Sequence, residues 1–94
     1  MKFQGAVIKE QGVTFAIVVV KRHVLQDSRQ REEARAGFAP LFPGLPVILM
    51  AQDARGVPSY HGRKDIVGFL ANVPMAAIPW KEYTANWVSR SPVA

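Results

Sequence analysis

His23 and His61 are the only imidazoles in this 94-residue chain, and it contains no cysteine. General base catalysis pairs a histidine with the proton it removes and with a group that orients it. His61 is the better placed of the two, because Tyr60 adjoins it and Asp53, Arg55, Arg63, Lys64 and Asp65 lie close by in sequence. Acting as a base, His61 would take Tyr60 or Asp65 as its partner. The usual companions of such a base are missing. There is no glycine-rich phosphate loop, no His-x-x-His or His-Glu-x-x-His pair and no Gly-x-Ser-x-Gly nucleophile turn. Zinc sites draw on three or four ligands with at least one pair close in sequence, a spacing that histidines at 23 and 61 do not offer. Without cysteine there are no disulfides, thiolate ligands or thiol redox steps. The Tyr60-His61 pair therefore reads as a strand end with one side chain packed and the other solvated. No catalytic residue, metal or cofactor is expected, and the chain is expected not to be an enzyme.

Charge is the second chemical feature. Twelve Lys and Arg against seven Asp and Glu give a net charge of +5, and basic chains collect polyanions through counterion release. Lys2, Lys9, Lys81 and Arg90 are scattered singly, whereas Lys21, Arg22, His23, Arg29, Arg31 and Arg35 gather in one stretch and Arg55, Arg63 and Lys64 in another. Placed on one face, the two groups would form a patch. However, Glu32 and Glu33 fall at helical i+3 and i+4 spacing from Arg29, and Glu32 precedes Arg35 by three, so self-paired surface is the preferred reading of the first group. Arg22, Arg31, Arg35, Arg55, Tyr60, His61, Arg63 and Lys64 form the candidate binding set. Nucleic-acid binding through an arginine-rich helix face would be weak and indifferent to sequence.

The elements that must carry these groups are announced by hydrophobic pattern. Thr14 to Val20 is a continuous apolar and β-branched run ending at Lys21-Arg22-His23, as expected of a strand covered on both sides. Phe3 to Lys9 precedes it across Glu10-Gln11-Gly12, which makes a hairpin. Asp27 or Ser28 then caps a polar helix to Ala36, with a thin stripe of Ala34, Phe38 and Leu41. Val47 to Met50 is a second interior strand, Asp53 to Gly56 a turn, and Val57 to His61 a return strand whose Pro58 places it at an edge or bulge. In Arg63 to Val73 the residues Ile66, Phe69, Leu70 and Val73 repeat at i, i+3, i+4 and i+7, which predicts a helix ended by Pro74. The tail with Pro79, Trp80, Tyr83, Trp87 and Pro92 reads as an irregular cover with a turn of helix near Lys81. The expected fold is a single α+β domain over 1–94, a two-layer β-β-α-β-β-α arrangement with a four-stranded, mainly antiparallel sheet. Val18, Ile48, Phe69 and Leu70 are its expected buried core.

The order Leu45-Pro46-Val47-Ile48-Leu49-Met50, Asp53-Ala54-Arg55-Gly56, Tyr60-His61-Gly62 and Asp65 to Leu70 resembles the C-terminal half of a thioredoxin-like fold. That resemblance implies a cis peptide before Pro46 and makes Gly62 the glycine before the last helix. It also implies a redox site next to Pro46, which this chain cannot build because the Cys-x-x-Cys unit is absent. An unrelated two-layer α+β sandwich remains the alternative.

Three large aromatics in the tail are read as closing the core or meeting a partner subunit rather than as stacking platforms for bases, because few basic residues are interleaved with them. The Asp27 to Ala36 helix is too polar to seal one face of the sheet, so a homodimer with Phe38, Phe42, Trp80 or Trp87 at its interface is expected. No segment reaches the roughly 20 apolar residues of a membrane span, and Met1-Lys2-Phe3-Gln4-Gly5 lacks the pattern of a secretory signal, so a cytoplasmic location is expected. The chain is expected to be a small non-catalytic binding or interaction module with a protein partner. Nucleic-acid binding is the alternative, and an enzyme at Tyr60-His61 comes last.

Overall fold

A computed structural model describes residues 2–84 and shows an α+β fold around one five-stranded mixed sheet. In chain order the elements are β1 (Lys2–Glu10), β2 (Val13–Val19), α1 (Arg22–Gln26), α2 (Ser28–Phe38), β3 (Val47–Gln52), β4 (Pro58–His61), α3 (Lys64–Leu70) and β5 (Lys81–Thr84). Single 3-10 turns occupy Ala39–Leu41 and Met75–Ala77. The sheet runs β4-β3-β2-β1-β5, with β2 and β3 parallel and the other neighbours antiparallel.

The sheet therefore has one strand more than the sequence pattern suggests, and a parallel pair at its centre. The pair follows from the connection: α1 and α2 carry the chain back over one face, so β3 restarts in the direction of β2. Its ladder is extended at both ends by Ala16 N donating to Pro46 O at 2.9 Å and Val20 N donating to Met50 O at 2.8 Å. The fifth strand is Lys81–Thr84, where a helical turn was expected. Tyr83 anchors it, stacked on Phe3 at 5.3 Å between ring centroids and edge-on to Phe42 at 5.5 Å. Gly5, two pairs further along the ladder, leaves room for the Tyr83 ring, since a Cβ there would lie 3.3 Å from that ring and 2.8 Å from Ile17 O.

Alternation along the strands sends apolar side chains to both faces, and helices cover each face instead of only one. Phe3, Ala16, Val18, Val47 and Leu49 pack under Phe38 and Phe42, with Leu25, Ala34 and Leu41 around them. Ala6, Phe15, Ile17, Ile48 and Met50 pack under Ile66, Leu70 and Ile78. Val18, Ile48 and Leu70 are buried as expected, while Phe69 is only half-buried, edge-on to Phe15 at 6.5 Å. Phe38 and Phe42, expected at a subunit interface, are 5% and 6% exposed inside the chain's own core. Together with Tyr83 they supply the cover that the polar α2 lacks. Trp80 is half-buried on the opposite face, its indole N–H donating to Met75 O at 3.1 Å. Trp87 lies outside the described residues.

The polar segment after β2 is two helices where one was expected. Asp27 separates them with ψ 118° and caps α2, its Oδ1 accepting from the backbone N–H groups of Arg29 and Gln30. β4 is an edge strand, which suits Pro58. The described residues hold no cis peptide, so the bond before Pro46 is trans, against what the thioredoxin-like resemblance implied. No helix among the described residues is long and apolar enough to cross a membrane.

Candidate functional site

The parallel pair sets the site. Where parallel strands end, the connections leave in different directions and open a crevice beyond their carboxyl ends. Here α1 departs from the end of β2 over one face, while β3 turns in plane through Asp53 into β4. The gap between them is a pocket of about 420 Å³, lined by Arg22, Leu25 and Gln26 of α1, Arg31 of α2, Ala51 and Asp53 at the end of β3, and Ser59, Tyr60 and His61 of β4.

Four members of the candidate set meet here: Arg22, Arg31, Tyr60 and His61. The Arg22 side chain has no hydrogen-bond or ionic partner among the described residues. Arg31 is fixed by Nη1 donating to Leu25 O at 2.9 Å, which ties α2 back to α1. Its Nε is buried without an acceptor. An unsatisfied buried donor costs about 1–3 kcal/mol. Asp53 is equally fixed, because its Oδ1 accepts from the backbone N–H groups of Arg55 at 2.8 Å and Val57 at 3.0 Å. Its other oxygen accepts no hydrogen bond among the described residues.

Tyr60 and His61 are neighbours in sequence but not in chemistry. Strand alternation sends the Tyr60 ring into the core on the α3 face, and the His61 ring faces α2. Tyr60 is therefore no partner for His61. Its hydroxyl is buried without a hydrogen bond, and burial pushes the phenol above its ordinary pKa. The group facing His61 is Glu32, with Nε2 and Oε2 3.7 Å apart, an ion pair only when the imidazole is protonated. Glu32 also meets Arg35 Nη1 at 3.5 Å, so the expected Glu32–Arg35 pairing is present. Arg35 itself does not line the pocket. Asp65, the other expected partner of His61, is bound to Arg63 by two hydrogen bonds of 2.8 Å. The Arg63 hydrogen bonds pull its carboxyl down to about 2.

The remaining candidates lie apart. Arg55 is in the β3–β4 turn, Arg63 is committed to Asp65, and Lys64 begins α3 on the far face. Because α2 and α3 cover opposite faces of the sheet, the α2 arginines and Lys64 do not share a face. Sequence reasoning missed Leu25, Gln26, Ala51, Asp53 and Ser59 as pocket residues and Glu32 as the partner of His61. Ser59 carried a usable signal, since it stands two residues before His61 on a strand and so shares its face. Among the described residues Ser59 and His61 are not hydrogen-bonded to each other, and no group of three or more His, Asp or Glu side chains converges. Protein-family models, curated proteins and solved structures were compared with the chain, and none matches.

Proposed function

We propose that this chain is a small non-catalytic binding module whose site is the pocket at the carboxyl ends of β2 and β3, and that the site takes the anionic group of a small ligand. One observation carries the reading: three separate elements deliver Arg22, Arg31 and His61 to one concave pocket, where the Arg22 guanidinium has no partner among the described residues. Guanidinium groups are suited to oxyanions, because their donors match two oxygens at once. A volume of about 420 Å³ falls within the range of small-molecule sites. The site lies within one chain and needs no second copy.

The test is an NMR titration of the 94-residue chain with inorganic phosphate and with a single-stranded oligonucleotide. Saturable shifts confined to the amides of Leu25, Arg31, Ala51, Ser59 and His61, lost in Arg22→Gln plus Arg31→Gln, are expected for phosphate. Shifts produced only by the oligonucleotide and spread over Arg29, Arg55 and Lys64 would replace this reading with nucleic-acid binding at the surface.

A further inference from the structure

The pocket is too large and too mixed in charge for a bare anion. Resting on the anion-binding reading above, we propose that its ligand is a small polyhydroxylated phosphomonoester, of the sugar-phosphate class. The walls divide by chemistry. On the helical side, Arg22 and Arg31 present two permanent cations, which match a phosphomonoester of about −1.5 to −2 better than a single carboxylate. On the strand side, Asp53 is held as an acceptor by the two backbone N–H groups it binds through Oδ1, and its second oxygen is left for a donor. An anion would be repelled there, so whatever reaches Asp53 must carry a hydrogen-bond donor, as a hydroxyl does. Gln26 and Ser59 add neutral donors and acceptors to the lining.

The apolar content of the lining argues in the same direction. Besides the His61 imidazole, Leu25, Ala51 and Tyr60 are its only apolar or aromatic residues, and the Tyr60 ring is turned into the core on the other face. The lining thus offers a base no Phe, Tyr or Trp face to stack on, the His61 imidazole being its one ring. A ligand body of hydroxylated carbons satisfies Gln26, Ser59 and Asp53 together. A body of hydrocarbon would leave them unpaired.

Ribose 5-phosphate, inorganic phosphate and ribose titrated separately into the 94-residue chain, followed by NMR, provide the test. The proposal expects ribose 5-phosphate to bind at least about tenfold more tightly than inorganic phosphate, and ribose not to bind measurably at the same concentrations. Arg22→Gln, which removes a side chain with no internal bond, should weaken both phosphates by about tenfold or more. Asp53→Asn keeps a carbonyl oxygen for the turn and removes the carboxylate, so it should shrink the advantage of ribose 5-phosphate over inorganic phosphate. Equal affinity for the two phosphates, or an advantage unchanged in Asp53→Asn, would overturn the sugar-phosphate assignment and leave the anion pocket standing. No saturable shift at pocket residues with either phosphate would overturn both.

Discussion

Arg63 and Asp65 show how a residue-level ion pair can look functional and be local. Two hydrogen bonds of 2.8 Å from the guanidinium hold the Asp65 carboxyl at about 2, below the ordinary value of about 3.9. A depressed native pKa means that the unfolded chain binds the proton more readily. The pair's contribution to stability is therefore complete above about pH 4 and is lost as pH falls toward 2. Carbon-detected NMR of the Asp65 carboxyl should show its midpoint near 2 in the native chain and a rise toward the ordinary value in Arg63→Gln. The rise should leave shifts at His61 unmoved, since Asp65 does not face that ring. A midpoint that stayed low without Arg63 would mean that the start of α3 itself holds the charge. The sequence placed Arg63, Asp65 and His61 within five residues and could not say which pair forms. That choice depends on where the chain turns out of the sheet. At Gly62 it passes so close to β3 that a Cβ would lie 2.5 Å from Ile48 Cδ1 and 3.2 Å from Val47 O. Ile48 is fully buried and has nowhere to go, so Gly62→Ala should destabilise the fold by about 1–3 kcal/mol in urea unfolding and disturb the His61 wall of the pocket.

At the scale of elements, legibility followed the source of each element's stability. The β2 and β3 runs were readable because burial on both faces writes an uninterrupted apolar segment. The cap of α2 was readable because Asp27 acts locally, on the N–H groups of Arg29 and Gln30 and on the Gln30 amide at 3.2 Å. Those hydrogen bonds, the Gln30 side chain foremost, draw the Asp27 carboxyl below its ordinary pKa. Asp27→Ala should lower the urea midpoint, and Asp27→Asn, which keeps the acceptor, should retain most of it. Because Asp27 also closes α1, the same substitution should loosen the Leu25–Arg31 tie and weaken phosphate binding. An unchanged phosphate affinity would show that α1 keeps its place without the cap. β5 was not readable. Lys81-Glu82-Tyr83-Thr84 has one apolar residue, and its strand conformation comes from pairing with Lys2 to Gly5 far away in sequence and from the Phe3–Tyr83 stack. The pocket was half legible for a related reason. Its arginines and histidine stood out by type, whereas Asp53 and Ser59 became pocket residues only when β4 folded back on β3.

For the whole molecule, the sheet divides the interior into two cores that share strands but not covers. Phe42 belongs to the core beneath α1 and α2, and Ile66 to the core beneath α3. Counting apolar faces led correctly to the need for two covers. It shared the second between the Trp80 to Val88 tail and a partner subunit, because the aromatics after the polar helix could not be placed in sequence. Within the chain Phe38, Phe42 and the tail's Tyr83 provide cover there, gathered around Phe3 with ring centroids 4.9, 6.3 and 5.3 Å away. If the two cores are energetically separate, substitutions in opposite cores should add and substitutions in one core should not. Phe42→Leu combined with Ile66→Val should cost the sum of the single changes to within about 0.5 kcal/mol. Phe42→Leu combined with Phe3→Leu should depart from the sum by about 0.5–1.5 kcal/mol, the size of an aromatic pair. Both cycles are read from urea unfolding at fixed protein concentration. Coupling across the sheet as large as coupling within one core would mean that β2 and β3 transmit strain between the faces, and the pocket at their carboxyl ends would then respond to packing under α3.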